Sequence, residues 1–193
     1  MLFIVSHLGS GSNILFDWLD KNPKIQGNRI PMYYSNPIDL EAITSKPHKT
    51  DNTAAIYMDE LLFNYSFACP QLYNTCKFIY FIREARPTLN KIVSTTTSLQ
   101  IKYTPERAYK YYKYRLRRMC EMSKRTPGAL FFTFDDLVAK RKLDLIEKYL
   151  NLKKPIVPTD LTEQTVDVID VDIINEAQES YDRHFYYLKS FLT

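Results

Sequence analysis

"MLFIVSHLGSGSN" (residues 1–13) decides how this chain is read. Its "LFIVS" is a short continuous apolar run with a β-branched centre, bounded by turn residues, which is the pattern of a strand buried on both faces. A small glycine-containing turn follows. Beyond it, "ILFDWLDKN" sets Ile14, Leu15, Trp18 and Leu19 on one helical face, with Ser12 or Asn13 as N-cap and a stop at Asn22-Pro23. Strand, glycine turn and helix begin a βαβ unit. Such a turn offers an anion several backbone N–H groups and the positive end of a helix dipole. Gly9 and Gly11 allow close backbone approach, and the Ser10, Ser12 and Asn13 side chains add hydrogen-bonding groups. The plainer alternative is a turn that only joins strand to helix.

Two nucleotide-binding signatures are absent from this turn. It has no Lys before its hydroxyl residues, so it is not G-x-x-x-x-G-K-[ST], and it is not G-x-G-x-x-G. ATPase, GTPase and dinucleotide oxidoreductase readings lose ground accordingly. The order G-S-G-S is also wrong for a G-x-S-x-G nucleophile elbow.

The rest of the chain alternates in the same way. "KFIYFIR" (77–83) reads as a strand ending in the charged turn "REARP", and Pro87 suits the first turn of a helix that turns Leu89, Ile92 and Val93 inward. "AAIYMDELL" (54–62) reads as a strand or a helix start, and 23–51, punctuated by Pro31, Pro37 and Pro47, as loop and short helix. Residues 104–126 form a long helix with Thr104 as N-cap and Pro105 at the first helical position. "ALFFTF" (129–134) is another buried strand, "DDLVAKRKLDLIEKYLNL" one further helix, and the final segment a helix with Ile173, Ile174, Ala177, Tyr181, Phe185 and Leu188 in period. Buried strands alternating with helices give an α/β fold with a mainly parallel central sheet flanked by helices.

The 193 residues suit a single domain spanning 1–193. With 26 Lys+Arg against 22 Asp+Glu, the net charge of +4 suits an anionic small ligand as well as nucleic acid. "YKYYKYRLRRM" (109–119) concentrates cations and tyrosines, and "DVIDVDIINEAQE" (167–179) is acidic; both read first as solvated helix faces. A stacking platform for nucleic acid is the sharper reading of the former, but its helical tyrosine spacing is explained more cheaply by burial. Cys69, Cys76 and Cys120 form no metal-like pair and are expected as reduced thiols. No apolar run is long enough for a membrane span and no basic leader precedes the first strand, so a cytoplasmic protein is expected.

Taken together, three segments carry a family resemblance. "SHLGSGSNILFDWLDKNPKI" resembles the 5′-phosphosulfate loop of sulfotransferases that use 3′-phosphoadenosine 5′-phosphosulfate (PAPS), where a P-[RK]-S-G-[ST]-[ST] turn opens a helix. "KFIYFIREARPTLNKIVS" resembles their second signature, a strand ending in Arg and a helix bearing Ser, which hold the donor's 3′-phosphate. "ALFFTFDDLVAKRKLDLIEKYLNL" resembles their later strand–helix pattern. The matches keep the family's order over most of 1–152, and "ESYDRHFYYL" is similar to its last helix. The resemblance implies a P-loop NTPase-like sulfotransferase architecture. It also implies sulfuryl transfer from PAPS to a hydroxyl or amine, leaving adenosine 3′,5′-bisphosphate (PAP) without a metal. Gly9, Ser10, Gly11, Ser12 and Asn13 would hold the 5′ end, and Arg83 with Lys91 and Ser94 the 3′-phosphate. The acceptor would be a small molecule, glycan or peptide, its pocket built from residues 28–50, 63–75 and 97–106.

The pattern departs from the family at three points. The usual loop cation is replaced by Gly9, preceded by Leu8 instead of Pro, with Arg29, Lys49 or Lys91 as substitutes. Arg83 to Ser94 is three residues longer than the family interval; counting from Arg86 restores it, while the Arg83 register puts Lys91 at the customary serine position. For the base that takes the acceptor's proton, Glu60 and His7 are the candidates, and His48 and His184 lack supporting context. A catalytically weakened relative that binds nucleotide, and a nucleotide kinase, are the competing functions.

Overall fold

The computed structural model describes residues 2–23, 25–28, 54–59, 73, 76–95, 102–159, 167 and 169–192. Its centre is a five-stranded sheet with β1 (Leu2–Val5) in the middle, β2 (Ile25–Asn28), β3 (Ala54–Asp59), β4 (Lys77–Ile82) and β5 (Leu130–Thr133) following in chain order. In space the order is β2-β3-β1-β4-β5, and every neighbouring pair is parallel.

Alternation along the strands explains why their sequences are apolar throughout. Phe3 and Val5 of β1, Phe78, Tyr80 and Ile82 of β4 and Phe131 of β5 face one layer. That layer is built from α2 (Ala85–Ser94), α3 (Pro105–Ser123) and α6 (Val171–Phe191). Leu2, Ile4, Ile79, Phe81, Leu130 and Phe132 face the other, against α1 (Ser12–Asp20), α4 (Phe134–Val138) and α5 (Leu143–Leu150). A strand buried on both sides has no polar face to display. Trp18 is almost fully buried on α1, and its indole N–H reaches Thr159 Oγ1 at 3.0 Å, which satisfies the one polar atom buried with the ring.

Several local expectations hold and several are corrected. Thr104 caps α3, accepting from the Arg107 N–H, with Pro105 in the first turn. Segment 54–59 is a strand. The N-cap of α1 is Gly11, in left-handed conformation, not Ser12 or Asn13. Pro87 is the third residue of α2, whose N-cap is Glu84. Strand β2 lies in a segment expected to be loop and short helix, because "IQGN" lacks the apolar alternation that marks a strand. The single helix expected after β5 is two. Thr133 and Asp136 close a capping box on α4, and the chain turns through Lys140 (φ 52) and Lys142 (φ 60) before α5 begins.

The strand order places a crevice. After β1 the chain goes to β2 and β3 on one side, then crosses to β4 and β5 on the other. Loops leaving β1 and β4 therefore diverge at the C-terminal edge, where open α/β sheets bind ligands.

Candidate functional site

The turn after β1 is folded by its own hydrogen bonds. Ser10 N–H donates to His7 O at 3.1 Å, Ser12 N–H to Ser10 Oγ at 3.2 Å, and Ser6 Oγ to Ser12 Oγ at 2.9 Å. Ser6, Ser10 and Ser12 are buried, so these hydroxyls shape the turn from beneath. Gly9 (φ 74) and Gly11 (φ 87) occupy left-handed positions. At both, packing as well as conformation excludes a side chain. A Cβ on Gly9 would lie 2.8 Å from the Thr88 carbonyl oxygen, and one on Gly11 2.6 Å from the Phe134 ring. The N-cap Gly11 has no side chain with which to cap α1, and no acidic residue lies in the first turn. Neither the Gly9 nor the Gly11 N–H is bonded to an acceptor among the described residues. The Ser12 and Ile14 N–H groups are spent on Ser10 Oγ and Gly11 O, so the open donors established here are those of Gly9 and Gly11, in the turn at the positive end of the helix dipole.

Register explains why Arg83 meets this turn. Val5 pairs with Tyr80, so Arg83 stands level with the residue three beyond Val5; Ile82 pairs with Thr133, so Phe134 stands level with Arg83. The Arg83 guanidinium lies 4.0 Å from the Phe134 ring centroid and Nη1 donates to Gly9 O at 3.4 Å. At 5% exposure, Arg83 is held as a rigid fork beside the loop.

His7 ties the loop to the end of β4. Arg83 N–H donates to His7 Nε2 at 3.0 Å, which makes Nε2 the unprotonated nitrogen; Nδ1 then carries the hydrogen and donates to Leu8 O at 3.1 Å. Burial pushes the His7 pKa from 6.5 down to about 3, against the opposing bond to Leu8, and the Arg115 and Arg83 cations lower it further. Neutral, fully buried and bonded at both nitrogens, His7 lacks the open nitrogen a base needs.

Helix α3 contributes three residues that sequence reading missed. Tyr111 Oη accepts the Leu8 N–H at 2.8 Å. The Leu8 N–H thus has a side-chain acceptor from a distant helix. Tyr112 Oη donates to Arg83 O at 2.6 Å and its ring stands edge-on to His7, the centroids 5.0 Å apart. Arg115, fully buried, donates through Nε to Ser6 O at 2.5 Å. The face of "YKYYKYRLRRM" read as solvated therefore packs its Tyr111, Tyr112 and Arg115 against the site. A charged residue inside the apolar stripe Ala108, Tyr112, Leu116, Met119 was the available signal.

The second signature divides. Lys91 Cβ lies 3.3 Å from where a Gly9 Cβ would stand, so Lys91 is beside the loop. Ser94 is exposed one turn further on, its Oγ donating to Lys91 O at 3.2 Å. Arg86, the alternative register, points elsewhere, with Nη1 at 2.9 Å from Asp167 Oδ2, and Asn90 Nδ2 reaches the same carboxylate at 2.7 Å. Part of the acidic run 167–179 is thus a partner for α2 and, through Asp170, the N-cap of α6. Asn13 is exposed on α1. Glu60, Arg29, Lys49, His48, Cys69 and nearly all of the acceptor segments lie outside the described residues. Strand β3 ends at Asp59, paired with Val5.

No protein-family model matches the chain, and no curated protein matches it. Among solved structures it is similar to mouse sulfotransferase SULT7A1 complexed with PAP, with a TM-score of 0.56 and 16% identity, covering 95% of this chain and 65% of that one. The chain therefore has the sulfotransferase fold and spans about two thirds of the length of that relative. Among the described residues, no helix is long and apolar enough to cross a membrane.

Proposed function

We propose that the crevice binds PAPS and that the protein is a sulfotransferase acting on a hydroxyl or amine. The observation that carries this reading is the turn at the N-terminus of α1, with the Gly9 and Gly11 N–H groups unspent among the described residues and Arg83 Nη1 3.4 Å from Gly9 O. A donor charged at both ends needs an amide cradle and, beside it, a cation; the ends of β1 and β4 provide the pair. PAP in the structural relative supports the same ligand class.

When bound, PAPS supplies an activated sulfuryl group: the acceptor oxygen or nitrogen bonds to sulfur, the bridging bond breaks with its electron pair left on the 5′-phosphate, and the acceptor's proton goes to a base. The loop amides hold the 5′ end, and Arg83, Lys91 and Ser94 are the cations and hydroxyl assigned to phosphate. Glu60, one residue beyond the end of β3, is the base in this reading. His7 is a positioning residue, because its nitrogens already bind Arg83 N–H and Leu8 O.

One observation favours a second reading, a nucleotide-binding relative with weakened transfer. Gly9 stands where related loops carry a cation, and the Thr88 carbonyl closes the position. Calorimetric titration of PAP, with ATP and AMP as controls, tests both. Micromolar binding of PAP alone, weakened by about ten- to a hundredfold in Arg83→Ala, supports the donor site; equal binding of ATP, or none of PAP, overturns it. Sulfate transfer to an acceptor panel then separates enzyme from binder.

A further inference from the structure

We infer that Lys91 supplies from α2 the cation that Gly9 leaves out of the loop, and that it serves the 5′ end of the donor instead of the 3′-phosphate. The inference rests on the donor-site reading above.

Gly9 is closed to any side chain: its φ is +74 and a Cβ there would meet the Thr88 carbonyl oxygen at 2.8 Å. That obstacle is backbone, and no rotamer relieves it. The cause is the close approach of α2 to the loop. The same approach brings Lys91 Cβ to 3.3 Å from the forbidden Cβ position, so the packing that keeps a cation out of the loop sets the root of another cationic side chain beside it. Lys91 is exposed, and no hydrogen bond or ion pair engages its ammonium among the described residues. Its flexible four-carbon stem can deliver a compact charge to an anion held by the neighbouring Gly9 and Gly11 amides. Arg83, by contrast, is buried, with its guanidinium over the Phe134 ring and Nη1 on Gly9 O. One cation is buried and packed, the other exposed.

The experiment is calorimetric titration of PAP and of adenosine 3′-monophosphate, which lacks the 5′-phosphate, into wild type, Lys91→Ala and Lys91→Arg. Because Lys91 is exposed, the variants are expected to melt as wild type does, which a thermal scan confirms. Lys91→Ala should weaken PAP about tenfold or more, as loss of a charge-assisted bond does. Lys91→Arg should restore most of that affinity, and the 3′-monophosphate should bind all three proteins alike. Unchanged PAP affinity in Lys91→Ala, or equal weakening of both ligands, overturns the inference and leaves the donor site standing. Failure of wild type to bind PAP overturns the donor site itself, and the inference with it.

Discussion

The backbone N–H of Arg83 donates to Nε2 of His7 at 3.0 Å, so the turn that ends β1 and the residue that ends β4 are one hydrogen-bonded unit. Tyr112 completes it by donating to Arg83 O and packing edge-on against His7. The imidazole has to be neutral for this bond to exist, and that requirement makes the unit sensitive to acid.

His7 is neutral in both folded and unfolded chains well above its ordinary pKa of 6.5. Between 6.5 and about 3 only the unfolded chain takes up the proton, so stability falls as pH drops through that window. The slope from this group approaches about 1.4 kcal/mol per pH unit. Urea unfolding from neutral pH down to about pH 4.5 should show a steeper decline for wild type than for His7→Gln. Parallel declines would mean that the histidine is not held neutral.

Arg83→Ala should lower PAP affinity by about ten- to a hundredfold. Arg83→Lys should recover little of it, because an ammonium can neither stack on Phe134 as a plane nor present a fork. Recovery to wild-type affinity in the lysine variant would show that only charge matters at this position.

Both loop glycines should resist substitution, for different reasons. Gly9→Ala meets a backbone oxygen and Gly11→Ala the ring of Phe134, in each case on top of a positive φ. Each should cost about 1–3 kcal/mol or more by urea denaturation. Phe134→Leu combined with Gly11→Ala should cost less than the two changes summed, since the ring is what the new methyl meets; no comparable partner exists for Gly9. Strict additivity would contradict that contact.

Tyr111→Phe removes the acceptor of the Leu8 N–H and leaves that donor partly buried without it. A loss of about 1 kcal/mol is expected, with PAP binding weakened only a few-fold because the loop is displaced and not dismantled. Thermal melts and the same titration measure the two effects; an unchanged melting temperature would show that water replaces the hydroxyl without cost.

The sequence by itself determined the strands that are apolar on both faces, the helices that are apolar on one, and the glycine turn between "LFIVS" and "ILFDWL". These depend on periods of two and 3.6 residues, which are properties of the local chain. Arg83 at a strand end was legible for the same reason. The short polar strand 25–28 was not, because a strand that borrows its hydrogen bonds from a neighbour needs little pattern of its own. The break between α4 and α5 was hidden too, since the left-handed turn at Lys140 and Lys142 is made by residues with no preference for it. Only tertiary structure decided the site's supporting cast. Strand register set Phe134 under Arg83, and the seating of α3 on the sheet brought Tyr111 and Arg115 to Leu8 and Ser6 across 103 and 109 residues of chain, and Tyr112 to Arg83 across 29. The approach of α2 closed Gly9 and placed Lys91 beside it. Such contacts follow from how surfaces pack at long sequence separation, and no local period records them.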